Sequence, residues 1–148
     1  MARHYVVPDA FTTRVVNPAV TLLTRLGVSV MGSRVLEVRG RRSGLPRRTP
    51  VNVLRVGDGH YLVAPRGETQ WVRNLRAAGE GHLLLGRRRT RFAARELPVE
   101  EREPVLRAYL RRWTWEVGKF FGGVTADSPA EDLRRSAPDH PVFRLGAP

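Results

Sequence analysis

The chain has 148 residues, 41% of them hydrophobic and 27% charged, and its formal net charge is +12. This length and composition suit one globular domain, so we expect a single domain over residues 1–148. Cysteine is absent, which excludes disulfides and cysteine-ligated metal centres and favours a reducing, cytoplasmic location. We find no apolar run near the ~18 residues of a membrane span and no signal-peptide pattern at the start.

The positive charge is concentrated in the middle of the chain. Of the 26 basic residues all but Lys119 are arginine. Residues 1–33 carry a net charge of +2, residues 34–95 carry +11, and residues 96–148 carry −1. A charge gathered in one segment indicates an anionic partner, which could be nucleic acid, anionic lipid or a phosphorylated small molecule.

The predicted elements begin with a helix over residues 17–26. Asn17 and Pro18 suit its N-cap and first position, and Gly27 follows as a stop signal. This helix is amphipathic enough to rest on a membrane surface, although packing on the rest of the fold is the commoner use. Strands joined by tight turns are predicted next, over residues 34–39, 49–56 and 61–64.

A short helix is predicted after Thr69, its candidate N-cap. Its apolar positions Trp71, Val72 and Leu75 are spaced to share one face. Two further strands are predicted over residues 81–85 and 90–97, on either side of a turn that contains Arg87, Arg88 and Arg89.

The C-terminal third is predicted to form helices followed by one strand. Pro98 opens a predicted helix, Ser128 and Glu131 form a capping-box pattern for another, and residues 141–145 could return as a strand. Together the elements favour an α+β, mainly β fold: a small β-barrel with helical additions. The apolar stripe of the first of these helices comprises Val99, Leu106, Leu110 and Trp113.

The common catalytic motifs are missing. Gly57 to Gly59 lacks the third glycine of a dinucleotide fingerprint and is better explained as a hairpin turn. Glu100, Glu101 and Glu103 lie at a predicted helix start, where the helix dipole favours acids. The histidines show no metal-ligand spacing: His4, His60, His82 and His140.

Residues 40–50 carry four arginines and Ser43 around a turn between two strands. Alternate residues entering the second strand could aim guanidinium groups at one spot, a geometry that suits phosphate or carboxylate oxygens. A solvated basic hairpin is the alternative interpretation.

Residues 61–76 run from a strand through a turn into a helix N-terminus. Backbone N–H groups near residues 67–70 could receive an anion or a polar ring edge. Trp71 could lie against a flat ligand, but a tryptophan on an amphipathic helix is more often part of the core.

These two stretches, in this order and spacing, resemble the deazaflavin-dependent nitroreductase and quinone reductase family of actinobacterial and related reductases. The resemblance runs from Asn17 to Trp113, and a weaker similarity is found at residues 140–143. It implies a split β-barrel with an N-terminal helix, a short helix between strands and C-terminal helices. It also implies a reduced 8-hydroxy-5-deazaflavin, coenzyme F420, which carries a phosphodiester and an oligoglutamate tail; FMN ranks below it as cofactor.

The resemblance also assigns candidate coenzyme-binding residues in this chain. The basic ones match positions near the phosphate and tail, Pro50 matches a groove-lining position, and residues 64–67 match a segment beside the deazaflavin ring. Some relatives have Ser where this chain has Pro65, and the loop before Trp71 is shorter than in the nitroreductase. The full set is Arg41, Arg42, Ser43, Arg47, Arg48, Thr49, Pro50, Ala64, Pro65, Arg66, Gly67, Trp71 and Asn74.

The resulting hypothesis is a hydride transfer from the reduced coenzyme to a small-molecule electron acceptor such as a quinone, nitroaromatic or activated enone. Tyr109 and Tyr5 are candidate proton donors, with water as the alternative, and Tyr109, Trp113 and Trp115 are candidates for the acceptor pocket. The alternatives are a non-catalytic deazaflavin or flavin carrier or sensor, and a nucleic-acid binder, which we do not favour because the usual signatures are missing. A homodimer and a peripheral membrane contact remain open.

Overall fold

A computed structural model of the chain describes residues 33–148, which form a closed antiparallel barrel of six strands in the order β1-β2-β3-β6-β5-β4. The helix predicted over residues 17–26 lies outside the described residues. All the strands predicted from the sequence are confirmed, although β2 begins three residues earlier than expected. The strands are β1 Ser33–Arg39, β2 Pro46–Val56, β3 Gly59–Val63, β4 Glu80–Leu85, β5 Arg88–Glu96 and β6 Val142–Gly146.

Three α-helices accompany the barrel in residues 33–148. They are α1 Gln70–Ala78, α2 Glu103–Val117 and α3 Ala130–Ser136, with three-residue 3₁₀ turns between or after them. None of these helices combines the length and the apolar character that a membrane crossing needs.

The barrel is filled by the side chains that alternate inward along each strand. Leu36, Leu62 and Phe143 are at most 1% exposed and belong to one core cluster. Helix α1 follows β3 and inserts Val72 and Leu75, both fully buried, into the same cluster. An apolar stripe three residues apart therefore seals one end of the barrel.

A second core lies outside the barrel wall, where α2 packs on β2 and β3. The predicted stripe positions Leu106, Leu110 and Trp113 are fully buried there, as expected. The ring of Tyr109 lies 5.2 Å from Trp113 and 6.4 Å from Phe121, between ring centroids. These aromatic contacts fix α2 against the sheet.

The helix predicted to open at Pro98 begins later than expected. Residues after Pro98 form a 3₁₀ turn, Val99–Glu101, and α2 starts at Glu103. Val99 is 40% exposed, so its place on the buried stripe was wrong. The break follows from Arg102, whose buried guanidinium donates to the carbonyls of Leu97 and Ala137 and so ties the chain back before the helix can begin.

The capping box expected at Ser128 is also absent. Helix α3 exists, but it begins at Ala130 with Pro129 as its N-cap and no side-chain cap bond. The Ser128 hydroxyl instead accepts a hydrogen bond from the Thr125 N–H at 2.9 Å. Glu131 pairs with Arg135 at 3.2 Å, one turn along the exposed face.

Candidate functional site

A groove of about 520 Å³ lies between the β1–β2 hairpin and the first turns of α1. Strand β3 pairs with β2 only from Val53 to Val56, so residues 46–52 of β2 extend past β3 while remaining paired with β1. We call this extension, with residues 36–45, the β1–β2 arm, and the space between it and α1 the arm groove. The volume falls within the ~300–1,000 Å³ typical of small-molecule sites.

The tip of the arm is a compact turn. The Gly40 N–H donates to the Leu45 carbonyl at 2.8 Å, and the Gly44 N–H donates to the Gly40 carbonyl at 2.9 Å. Gly44 has φ +74°, in the left-handed region that glycine adopts without steric cost. The turn therefore presents residues 41–43 toward α1.

Arg41 joins the arm to α1. Its backbone N–H donates to Asn74 Oδ1 at 3.1 Å, and its Nη1 donates to Asn74 Oδ1 at 2.8 Å and to Gln70 Oε1 at 2.9 Å. Asn74 is only 5% exposed. Because both side-chain partners are neutral amides, the guanidinium is held in place while its positive charge stays uncompensated by them.

Two more arginines bring positive charge to the arm groove. Arg42 and Arg47 are exposed, line the groove and form no ion pair with any acid whose side chain the structure describes. Because these charges are solvated and unneutralised, an anion in the groove meets attraction without first breaking a salt bridge.

Arg48, in contrast, is already paired. Its Nε lies 2.8 Å from Glu37 Oε2, and Arg89 holds Glu37 Oε1 at the same distance. The hydrogen bond from Arg89 and the contacts with Arg48 lower the pKa of the Glu37 carboxyl, although burial acts in the opposite direction. This pair of bridges fastens the arm to β5 and leaves Arg48 less charge to offer a ligand.

The N-terminus of α1 opens onto the groove without a cap. Thr69 is the N-cap residue, but its side chain makes no capping bond, and its buried Oγ1 has no hydrogen-bond partner in the part of the chain that the structure describes. The first-turn N–H groups of a helix have no carbonyl partner within the helix. The first turn of α1 also contains no acid. An uncapped positive helix end and an orphaned buried hydroxyl therefore share one wall of the groove.

The backbone donors expected in residues 64–70 are largely used within the chain. The Ala64 N–H donates to Pro141, the Gly67 N–H to Ala64, and the Thr69 N–H to Gly67, at 2.9, 3.2 and 2.8 Å to the respective carbonyls. The expectation that Gly67 and Thr69 offer free N–H groups was wrong. A local turn satisfies them, which the sequence pattern alone does not reveal.

The groove gathers most of the residues that the sequence singled out, but not the segment expected beside a ring. Pro50, Ala64, Pro65 and Gly67 do not line it, and Ala64 is fully buried in the core. The predicted residues that do line it are Arg41, Arg42, Ser43, Arg47, Arg48, Thr49, Arg66, Trp71 and Asn74.

Sequence reasoning missed five lining residues. Leu36 and Val38 form the apolar floor; the sequence placed them only on the strand predicted over residues 34–39. Thr69 was noticed, but as a helix cap. The others are Gly40 and Gln70.

The aromatic candidates divide between groove, core and surface. Trp71 is half-buried, lines the groove and packs against Phe143 at 6.1 Å between ring centroids, so the core and ligand interpretations both apply to it. Tyr109 and Trp113 lie in the outer core and do not line the groove, while Trp115 is 67% exposed. Tyr5 lies outside the described residues.

The chemistry of the arm groove is that of an anion-binding site with an apolar floor. Its charged lining residues are all arginines, and one wall carries a flat indole. No cluster of His, Asp or Glu within residues 33–148 could hold a metal ion. Such a lining suits a flat ligand that bears several negative groups.

Comparison with known proteins places this geometry in a family. The profile of the F420H(2)-dependent quinone reductases matches residues 13–117. A search of curated proteins finds no significant match. Among solved structures, F420-H2 dependent reductase FDR-A is similar with a TM-score of 0.54 and 20% identity, over 78% of this chain and 94% of that one.

Two other solved structures show the same split-barrel fold. A chain described as a domain-swapped dimer has a TM-score of 0.57 and 18% identity, over 82% of this chain and 90% of its own. The conserved hypothetical protein Rv2991 from Mycobacterium tuberculosis has a TM-score of 0.53 and 17% identity, over 99% and 86%. Since the family profile spans most of the chain and every residue found to line the arm groove, the chain belongs to the F420H(2)-dependent quinone reductase family.

Proposed function

We propose that the protein is a reductase that binds reduced coenzyme F420 in the arm groove and uses it to reduce a small electrophilic acceptor. Quinones are the first candidates, followed by nitroaromatics and activated enones. The observation that carries the proposal is the pairing of unneutralised Arg42 and Arg47 with the uncapped start of α1 across one groove. The family assignment supplies the identity of the coenzyme.

The residues present fit this coenzyme. Its phosphodiester and oligoglutamate tail need cationic groups that can donate paired hydrogen bonds. The guanidinium groups of Arg42 and Arg47, which line the groove, supply them. Its flat ring needs an apolar bed, for which Leu36, Val38 and the indole of Trp71 are suited. When bound, the reduced coenzyme supplies the hydride for the acceptor.

The orphaned hydroxyl is the strongest sign of a missing polar partner. A buried hydroxyl without a hydrogen bond costs roughly 1–3 kcal/mol, so native proteins rarely keep one without a reason. Thr69 Oγ1 is such a group, in the wall of the groove. We therefore assign it a hydrogen bond to a polar edge of the bound coenzyme.

The chain's own contribution is mainly to hold and orient. Arg41 is fixed by Asn74 and Gln70 before any ligand arrives, so little side-chain freedom is lost on binding. Positive charge from Arg41 and Arg42 would also stabilise negative charge that develops on the acceptor oxygen.

We assign the final proton to water. The lining residues found in the described part of the chain include no Tyr, His, Asp or Glu. The groove is open to solvent, which can deliver a proton directly to a reduced quinone or nitro oxygen. The earlier candidate Tyr109 is 3% exposed in the outer core.

The test has two stages. Purified protein is first titrated with oxidised coenzyme F420, FMN, FAD and NADPH; we expect the deazaflavin to bind most tightly and its affinity to fall with salt. Stopped-flow oxidation of the reduced coenzyme is then followed with menadione and with a nitroaromatic. Oxidation well above the rate in free solution is the expected result.

Two outcomes would contradict the proposal. Tight binding of the coenzyme without faster oxidation by any acceptor in a broad panel would identify a carrier. Preferential binding of FMN would remove the deazaflavin assignment.

A homodimer is a further proposal for the assembly. It is supported by the likeness to a chain described as a domain-swapped dimer. Light scattering of the purified protein, with and without coenzyme, measures it directly.

A further inference from the structure

Residues 64–69, which lead from β3 into α1, are held by an arginine at the far end of the helix. We call these residues the entry turn. Arg76 lies in the last turn of α1, and its Nη1 and Nη2 each donate to one carboxylate oxygen of Glu68 at 3.1 Å. Side chains on a helix tilt toward its N-terminus, so Arg76 reaches back along α1 to the entry turn.

A second carboxylate fixes the position of Arg76. Glu96, the last residue of β5, accepts from Arg76 Nε at 2.7 Å and from Arg76 Nη2 at 2.8 Å. Glu96 also lies 3.3 Å from Nη2 of the buried Arg102, whose Nε and Nη1 donate to main-chain carbonyls. Through Arg76, the entry turn is therefore tied to the end of a barrel strand.

These four charged residues form one network of alternating sign: Glu68, Arg76, Glu96 and Arg102. The exposed fraction of the side chain is 11% for Glu68 and 35% for Arg76. Hydrogen bonds to Glu96, and after them those to Glu68, raise the pKa of Arg76, although burial acts in the opposite direction. Paired arginine–carboxylate bonds within a network hold side chains in one geometry, whereas isolated exposed ion pairs contribute little.

The network does not touch the arm groove. Arg66 and Thr69 in the entry turn line the groove, whereas Glu68 between them lines a separate cavity of about 570 Å³ together with Arg76. The two cavities have no lining residue in common among the described residues. A ligand in the arm groove therefore does not contact Arg76, and an effect of Arg76 on that ligand has to pass through the entry turn.

The entry turn has few restraints of its own at the point where Glu68 is held. Gly67 has φ +85°, a conformation that glycine adopts without steric cost, and glycine also leaves the backbone more freedom than other residues. The Thr69 side chain makes no capping bond that would fix it to α1. The bonds from Arg76 thus add a restraint from outside the turn, next to a residue that lines the groove.

We propose that Arg76 is a positioning residue for coenzyme binding. It holds Glu68 and thereby sets the orientation of the entry turn, so that Thr69 and the N-terminus of α1 face the coenzyme. This role rests on the proposed function, because it takes the arm groove as the coenzyme site. The restraint on the entry turn itself exists before any ligand binds.

Hydrogen exchange of the coenzyme-free protein tests that restraint. In Arg76→Met the amides of Gly67 and Thr69 should exchange about tenfold faster, while Leu62 in β3 keeps its protection, because only the entry turn loses a contact. Arg73→Met removes an equal charge from an exposed position of the same helix and should leave both amides unchanged. Unchanged exchange at Gly67 and Thr69 in Arg76→Met would overturn the proposal.

A double-mutant cycle tests the effect on the coenzyme. Arg76→Met should weaken binding of oxidised coenzyme F420 about fivefold, and Thr69→Val should then cause no further loss, although it weakens binding in the wild-type background. Additive losses would overturn the proposal, since Thr69 would then be positioned without Arg76. Full affinity in Arg76→Met would overturn it too, while the proposed function would stand. Failure of the wild-type protein to bind the coenzyme would instead contradict the proposed function, and with it the role of Arg76.

Two further variants separate positioning from stability. Glu68→Gln keeps the size of the side chain and removes its charge, so coenzyme affinity should fall in the same direction as in Arg76→Met. Arg76→Lys keeps the charge without the paired donors and should recover part of the affinity. Thermal unfolding is measured on every variant. A lower unfolding temperature with unchanged affinity of the folded protein would show a purely structural role and overturn the proposal.

Discussion

The two ends of the barrel are built from the same strands but are finished in different ways. At one end α1 inserts Val72 and Leu75 into the core, and both side chains are fully buried. At the other, inward-facing positions such as His60 and Thr90 are polar and exposed. The first end contributes packing and carries the arm groove beside the helix, whereas the second ends in exposed polar side chains.

Because of this difference, the two ends of the barrel contribute unequally to the stability of the protein. A plugged end stabilises the barrel because apolar area leaves water, and the helix that forms the plug also presents its N-terminus to the groove. Exposed polar side chains such as His60 and Thr90 at the opposite end add little to stability. Substitutions at the two ends should therefore differ first in their effect on unfolding.

The largest expected effect is on stability at the plugged end. Leu75→Ala removes a fully buried side chain from the barrel core and should lower the free energy of unfolding by about 2–5 kcal/mol. Thr90→Ala at the opposite end of the barrel, where the side chain is exposed, should change it by less than about 0.5 kcal/mol. Urea unfolding followed by circular dichroism measures both, and equal losses would show that the two ends contribute alike.

A smaller effect is expected on coenzyme affinity at the arm groove. The Arg42→Ala, Arg47→Ala double variant should weaken coenzyme binding by roughly 2 kcal/mol, about 30-fold, since both arginines are solvated and lose only part of a full charge-assisted bond. Arg41 is left intact because it also holds the arm to Asn74 and Gln70. Fluorescence titration gives the dissociation constants at low and high salt.

The control for that experiment lies outside the arm groove. Arg95→Ala removes one positive charge, half of what the double variant loses, from the exposed outer face of β5, and its coenzyme affinity should match the wild type. If Arg95→Ala weakens binding as much as one of the groove arginines, the attraction is a property of the whole basic surface rather than of the groove.

The smallest expected effect is a change at Thr69 that leaves stability the same or higher but lowers coenzyme affinity. Thr69→Val keeps the shape of the side chain but removes the orphaned hydroxyl, so the coenzyme-free protein should be as stable as the wild type or up to about 1 kcal/mol more stable. Coenzyme affinity should fall about fivefold, as expected for one lost hydrogen bond. Thermal unfolding and coenzyme titration on the same preparation check both signs. Thr69→Ser serves as the comparison that retains the hydroxyl, and unchanged affinity in Thr69→Val would mean that the hydroxyl has no role in binding.

Much of the fold was accessible from sequence because it rests on local patterns. Alternation in β1 and the glycine-rich turn after Val56 predict strands and a hairpin without any knowledge of what they pack against. The arginines near the arm tip were found in the same way. These arginines are not equivalent, however, because Arg48 is paired with Glu37. The sequence could not indicate this pair because Glu37 lies eleven residues away on another strand.

The errors share one physical cause, which is competition from hydrogen-bond partners that the sequence pattern does not mark. Ser128 matched a capping box but bonds backward to Thr125, and α2 starts late because Arg102 is drawn to Leu97 and Ala137. The N–H groups of Gly67 and Thr69, which were expected to be free, donate hydrogen bonds within a turn. In each case a local signal was outweighed by a hydrogen bond whose partner becomes available only when the chain folds.

The sequence by itself determined the barrel, its alternating core and the concentration of positive charge in residues 34–95, since periodicity and charge are properties of neighbouring residues. Only the tertiary structure decided which arginines keep an unneutralised charge, because that depends on acids brought near from other strands. It also decided that Thr69 is an orphaned hydroxyl rather than a cap, and that inward-facing positions such as His60 and Thr90 are exposed at the end of the barrel opposite α1. A ligand site needs side chains from different strands to lie close together, and they do so only once the barrel has closed.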